Sequence, residues 1–303
     1  MNKDSFMPKR LAIQLFGHLR TFDLTYQSFY NNIIIPNQDT YKIDIFIHTW
    51  DEIEYTALQW HNEKIPQVRG KKITSKDVDF LLKHYCPALY EITPQLEDGS
   101  GLEFDEFTGG KCKYATMRNV WYTKYRVNEL RKKYEAEQDV HYDFVLCTRP
   151  DVSYNKKLNL DSLFLVYSTL LKNISVPEGK LFYSGHHRDY PVREDYLLAA
   201  SDIVYLGVPS VINAISSIYP HLNTEELAQK FISWEHFQIY TAKKYNIEPI
   251  QIEYNYGTDW EILRFHGAVA PKKMSFINKV KSCIPIKMRN FLKKYYLKFI
   301  KNR

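Results

Sequence analysis

Apolar runs that stop abruptly on polar residues recur along this chain. The segment "RLAIQLFGHLRTF" (10–22) opens on such a run, Leu11 to Phe16, and breaks at Gly17. That pattern predicts a buried strand followed by a loop with close backbone approach. "DLTYQSFYNNIIIPN" then predicts a helix carrying Leu24, Phe29 and Ile33 on one side and ending at Pro36. "YKIDIFIHTWDE" (41–52) predicts a second strand, closing on His48, Thr49, Trp50 and Asp51. Strand, helix and strand at this spacing make a βαβ unit and hence a parallel sheet.

Residues 53–115 are less regular, with a helix start at Ser75, a stop near Pro87 and an acidic, glycine-containing stretch, "LEDGSGLEFDEFTGGK". They are expected to be an insertion shaping one side of a cleft. A long helix is expected from Ala115 to about Gln138, where Met117, Val120, Trp121, Lys124, Tyr125 and Asn128 trace one stripe. "YDFVLCTRPDVSYN" follows as a third parallel strand, Phe144 to Cys147, with Arg149-Pro150-Asp151 at its carboxyl end. "GKLFYSG" and "SDIVYLGVPS" read as further strands, "VINAISSIY" and "TEELAQKFISWEHFQIYTAKKYNI" as helices, and "EPIQIEY" as a closing strand.

Composition adds two restrictions. The 303 residues suffice for a packed core, and the four cysteines (Cys86, Cys112, Cys147, Cys283) are scattered without metal-ligand spacing. Neither structural zinc nor a disulfide framework is expected. The opening "MNKDSFMPKR" lacks the apolar core and cleavage site of a secretory signal, and no stretch reaches the roughly 18 apolar residues that span a bilayer. A cytoplasmic protein is expected.

Charge is unevenly placed. The net +6 includes 11 Lys or Arg and no acid within residues 271–303, which leaves 30 basic against 35 acidic residues in 1–270. In "IPIKMRNFLKKYYLKFIKNR", Ile284, Met288, Phe291, Tyr295 and Phe299 recur every three or four positions, with Lys287, Lys294, Lys298 and Lys301 on other faces. This predicts a basic amphipathic helix suited to an anionic membrane surface. A helix docked on its own domain or on a partner subunit is the competing account. Nucleic acid ranks below both, because the body is acidic and carries no nucleic-acid-binding motif.

In open parallel sheets, ligands sit beyond the carboxyl ends of the strands. Three such ends carry polar residues here: Gly17-His18-Leu19-Arg20, His48-Thr49-Trp50-Asp51 and Arg149-Pro150-Asp151. Together they suit a phosphate-bearing substrate held with a metal ion. A structural ion pair between Arg149 and Asp151, and a satisfied core histidine at His48, are the plainer readings of the same residues.

The order "FGHLRTF", "DIFIHTW", "YDFVLCTRPDVSYN", "ASDIVYLG", "WEHFQIYTAKKYNI" resembles bacterial glycosyltransferases that build capsule and lipo-oligosaccharide, enzymes similar to the GT-A fold. The resemblance covers roughly residues 10–265. It implies a GT-A-like α/β domain over 1–270 and transfer of a hexose or N-acetylhexosamine from a nucleotide sugar, most simply a UDP-sugar, onto a surface glycan. In that fold an Asp-x-Asp motif meets the diphosphate through Mn²⁺ or Mg²⁺. Here the element is Arg-Pro-Asp, so Asp151 is the implied metal ligand, while Arg149 can fork onto the diphosphate itself. Gly17, His18, Arg20, His48, Asp51 and Arg264 are the implied donor contacts. Among Asp195, Asp202 and Glu235, Asp202 is favoured as the base that deprotonates the acceptor hydroxyl. A transferase of another phosphate-linked group, or a non-catalytic membrane-tethered protein, are the alternatives. The membrane tail would hold the enzyme on the inner face of the cytoplasmic membrane, near a lipid-linked acceptor.

Overall fold

The structure is a computed structural model; it describes residues 9–56, 65–96, 103–105, 111–170, 178–186, 202–222 and 234–264. The chain divides into two units, Met1–Arg264 and Phe265–Arg303, and the second lies wholly outside the described residues. The expected basic helix therefore falls outside them too.

The strands are β1 (Lys9–Phe16), β2 (Tyr41–Trp50), β3 (Leu89–Thr93), β4 (Glu103–Asp105), β5 (Lys111–Lys113), β6 (Phe144–Thr148), β7 (Val152–Tyr154), β8 (Lys180–His186), β9 (Tyr205–Gly207), β10 (Glu248–Tyr256) and β11 (Trp260–Ile262). The helices are α1 (Phe22–Phe29), α2 (Ser75–Tyr85), α3 (Tyr114–Gln138), α4 (Leu160–Leu170), α5 (Pro209–Ser216) and α6 (Trp234–Lys244). Among the described residues nine strands form one sheet in the order β3-β2-β1-β6-β9-β8-β10-β11-β7, and β4 and β5 pair separately. The protein is thus α/β with a mostly parallel sheet.

The expected βαβ unit is present: β1 and β2 run parallel in continuous register from Lys9↔Tyr41 to Phe16↔His48. β6 joins the other side of β1, also parallel. β3 is parallel to β2, so part of the supposed insertion belongs to the main sheet. β9 is antiparallel to both β6 and β8. The expected closing strand, β10, is interior, between β8 and β11, and β7 is the true margin.

Alternation along the strands sorts the helices onto two faces. Gln14, Phe46 and His48 point to α3, meeting Asn128, Tyr134 and Thr123. Phe144 points the other way, to Phe164 of α4. Along α3, Met117, Trp121, Lys124, Asn128 and Arg131 are buried, the spacing of one helix stripe. In α1 the buried side is Phe22, Thr25 and Phe29, while Leu24 is 49% exposed. Leu24 and Phe29 are five positions apart, which is no helical neighbour distance, and Ile33 lies within a π-helical turn, Tyr30–Ile34. α2 begins at Ser75 as its sequence indicates, held by a capping box between Thr74 and Asp77.

One constraint shapes the whole sheet. β6 and β7 are separated by Arg149, Pro150 and Asp151 alone, yet four other strands lie between them in the sheet. Five strand spacings in a flat sheet measure about 24 Å, whereas four Cα steps reach at most about 15 Å. The sheet must curl, and the Arg-Pro-Asp turn closes the curl.

Candidate functional site around the carboxyl end of the first strand

Strand order reverses between β1 and β6, since β2 and β3 lie on one side of β1 and β6 on the other. This is the switch point at which open α/β sheets form a crevice. The tips of β2, β1 and β6 lie on neighbouring parallel strands and so share one edge, as expected.

Gly17 leaves β1 with φ +97°, a conformation costly for a residue with a Cβ, and its N–H donates to Thr123 Oγ1 at 3.0 Å. Arg20 also has positive φ, 47°, and its N–H donates to the Ile53 carbonyl. The turn directs Arg20 inward. Its guanidinium forks onto Glu54, Nε to Oε2 at 2.5 Å and Nη2 to Oε1 at 2.9 Å, and reaches Asp151 Oδ2 through Nη1 at 3.0 Å. Arg149 forks onto the same carboxylate, Nε to Oδ1 at 2.9 Å and Nη2 to Oδ2. Pro150 is held from below, its carbonyl accepting from Thr25 Oγ1.

A third arginine arrives from β11. The Leu263 N–H donates to the Asp151 carbonyl at 2.8 Å, and the Thr21 hydroxyl donates to the Leu263 carbonyl. Arg264 therefore lies beside the pair, where burial and then the charges of Arg20 and Arg149 press its pKa down to about 9. Burial alone would raise Asp151, but Arg149 and Arg20 hold it below the ordinary carboxylate value. Glu54, against the same pull of burial, is held down by Arg20. Both acids are ionised at neutral pH, each matched to guanidinium geometry.

Asp151 is at the sheet edge as expected, but it is enclosed, with 0% exposure. Both of its oxygens accept from guanidinium groups, and cations surround it. These surroundings do not fit a hard divalent ion, which requires accessible oxygens and an excess of negative charge. Among the described residues no group of three or more His, Cys, Asp or Glu is placed to hold a metal.

His18 bonds through Nε2 to Gln95 Oε1 at 3.0 Å, with the Trp50 and Tyr55 rings nearby. Burial, then Arg20, lowers its pKa to about 4, so it is neutral at physiological pH. His48, expected among the donor contacts, is instead wholly enclosed. Thr123 donates its hydroxyl proton to the His48 carbonyl, so His48 Nδ1, 2.7 Å from Thr123 Oγ1, is the donor of that pair. Nε2 then accepts from Thr93. His48 ties β2, β3 and α3 together, and burial takes its pKa to about 3. Asp51 lies at the rim, paired with Lys72 at 2.9 Å.

On the α3 face a second cluster flanks β1. Lys124 has a fully buried side chain, 3.4 Å from Asp202 Oδ2 and 3.3 Å from Gln238 Oε1. Its Nζ lies 4.5 Å from the Trp121 ring centroid, 5.1 Å from Phe16 and 5.2 Å from Tyr205. Aromatic faces and a carboxylate compensate the ammonium for lost water. Asp202, the favoured base, is thus brought to the edge beside Phe16 and paired with a lysine. Glu235 lies in the first turn of α6, one turn before Gln238. Asp195 lies outside the described residues.

Sequence reasoning did not single out Glu54, Gln95, Thr123 or Lys124 as site residues. Lys124 carried a signal, a lysine within a mostly apolar helix stripe. Glu54, the third acid of "DEIEY", carried none, because its partner is 34 positions away. No family model matches the chain, and a search among curated proteins finds no match either.

Proposed function

We propose that this protein is a glycosyltransferase that moves a hexose or N-acetylhexosamine from a nucleotide sugar, most simply a UDP-sugar, onto a growing bacterial surface glycan. The observation that carries the reading is the meeting of Arg20, Arg149 and Arg264 at the switch point between β1 and β6. Clustered guanidinium groups at that crevice suit a diphosphate, which is planar-fork recognition of a dense anion. His18 lies beside Arg20 and, with the half-buried Tyr55 ring, suits the nucleoside portion.

In this reading the acceptor hydroxyl oxygen attacks the anomeric carbon, and the bond from that carbon to the diphosphate oxygen breaks. The nucleoside diphosphate leaves with the bonding electrons, its new charge met by Arg149 and Arg20. The hydroxyl proton passes to Asp202, which its 3.4 Å pairing with Lys124 orients. No step runs through a metal. The basic segment 271–303 would bring the domain to an anionic membrane and a lipid-linked acceptor.

The test is nucleotide release by the purified full chain from a panel of UDP-, GDP- and ADP-sugars, with nucleoside triphosphates as controls. Release of a diphosphate from one sugar nucleotide supports the reading. Turnover of triphosphates alone transfers the site to phosphate-group chemistry.

A further inference from the structure

Building on that reading, we infer that guanidinium groups, and not a divalent cation, meet the donor's diphosphate, so nucleotide binding is metal-independent. The carboxylate that would ligate a metal is already saturated. Arg149 holds it by a two-point fork and Arg20 by a third bond at 3.0 Å, and Asp151 has no exposed surface. A dication there would have to displace two charge-assisted bonds, among the strongest that side chains make.

The sign of the cluster points the same way. Three arginines, Arg149, Arg20 and Arg264, all lie close enough to Asp151 to hold its carboxylate in the charged form. Adding a dication raises like charge in a buried place, whereas adding a diphosphate compensates it. The cluster also has an outlet. Arg149 has 15% of its side chain exposed against 0% for Asp151 and 7% for Arg20. Of the five N–H donors of its guanidinium, Asp151 takes one from Nε and one from Nη2. Among the described residues nothing takes Nη1, which is left to meet phosphate oxygens, and Asp151 fixes the plane in which it does so. Asp151 is then a positioning residue for Arg149.

The experiment uses the purified full chain, stripped with EDTA, and isothermal titration with UDP and with inorganic pyrophosphate. The expected result is equal affinity, within about threefold, in EDTA and in Mn²⁺ or Mg²⁺, with binding weakened by added salt. Arg149→Met is expected to weaken binding by at least about tenfold, with Arg149→Lys intermediate because a point charge cannot fork. Binding that appears only with Mn²⁺ or Mg²⁺ overturns the inference and leaves the glycosyltransferase reading standing. No nucleotide binding under either condition overturns both. If Arg149→Met does not fold, the wild-type comparison of EDTA with metal still decides the question.

Discussion

Arg20 Nη1 donates to Asp151 Oδ2 at 3.0 Å across 131 positions of sequence, and both side chains are buried. The same guanidinium forks onto Glu54, so three strand-end segments are locked by one side chain. Removing one partner of such a pair exposes the others to uncompensated burial.

Asp151→Asn leaves Arg20 and Arg149 enclosed without their carboxylate. Stability is expected to fall by about 3–5 kcal/mol, read from the shift of the urea midpoint at constant slope. An unchanged midpoint would mean that solvent reaches the cluster freely.

Stability is expected to decline as pH drops from about 6.5 towards 4. His18, with a folded pKa of about 4, and His48, at about 3, both bind protons more readily in the unfolded chain, whose histidines titrate near 6.5. The unfolded state gains protons first, so stability present above pH 6.5 is lost through that window. Asp151 and Glu54, with lowered pKa values, extend the loss below pH 4. For His18 the shift corresponds to about 3 kcal/mol. Denaturant titrations at pH 7 and pH 5 should differ less in His18→Asn than in the wild type.

Lys124 and Asp202 should couple. Lys124→Met and Asp202→Asn are each expected to destabilise strongly, and the double variant by less than their sum, with a coupling of about 1–3 kcal/mol. Additive losses in the double-mutant cycle would show that the pair acts through separate contacts.

Gly17→Ala tests the turn alone. An added Cβ meets no atom within 4 Å, so any loss arises from the φ of +97°. A loss of about 1 kcal/mol or more is expected in thermal or urea unfolding.

Deleting residues 271–303 is expected to abolish sedimentation with anionic vesicles while nucleotide release on a soluble acceptor persists. Retained sedimentation would move membrane binding to another part of the chain.

The central strands were legible because each writes a compact signature: Leu11–Phe16, Ile43–Ile47 and Phe144–Cys147 are predominantly apolar runs cut off by polar tips. Their neighbourhood followed from the βαβ spacing. β7 and β9 have three residues each, and their partners are set by pairing far along the chain, so pattern alone could not place them. The site was legible in the same proportion. Arg20, Arg149 and Asp151 announced themselves at strand ends, but whether they face solvent or one another depends on Glu54 and Leu263, which only folding brings near. His48 had the look of a ligand contact and proved to be a three-way internal tie, because Thr93 and Thr123 reach both ring nitrogens.

The three-residue span between β6 and β7 has a mechanical corollary. It staples the middle of the sheet to its margin, and Arg149 and Asp151 are the staple. The crevice therefore has a fixed floor that cannot splay apart to admit a substrate. A residue inserted between β6 and β7 should therefore loosen the margin of the sheet and the hold on the nucleotide together.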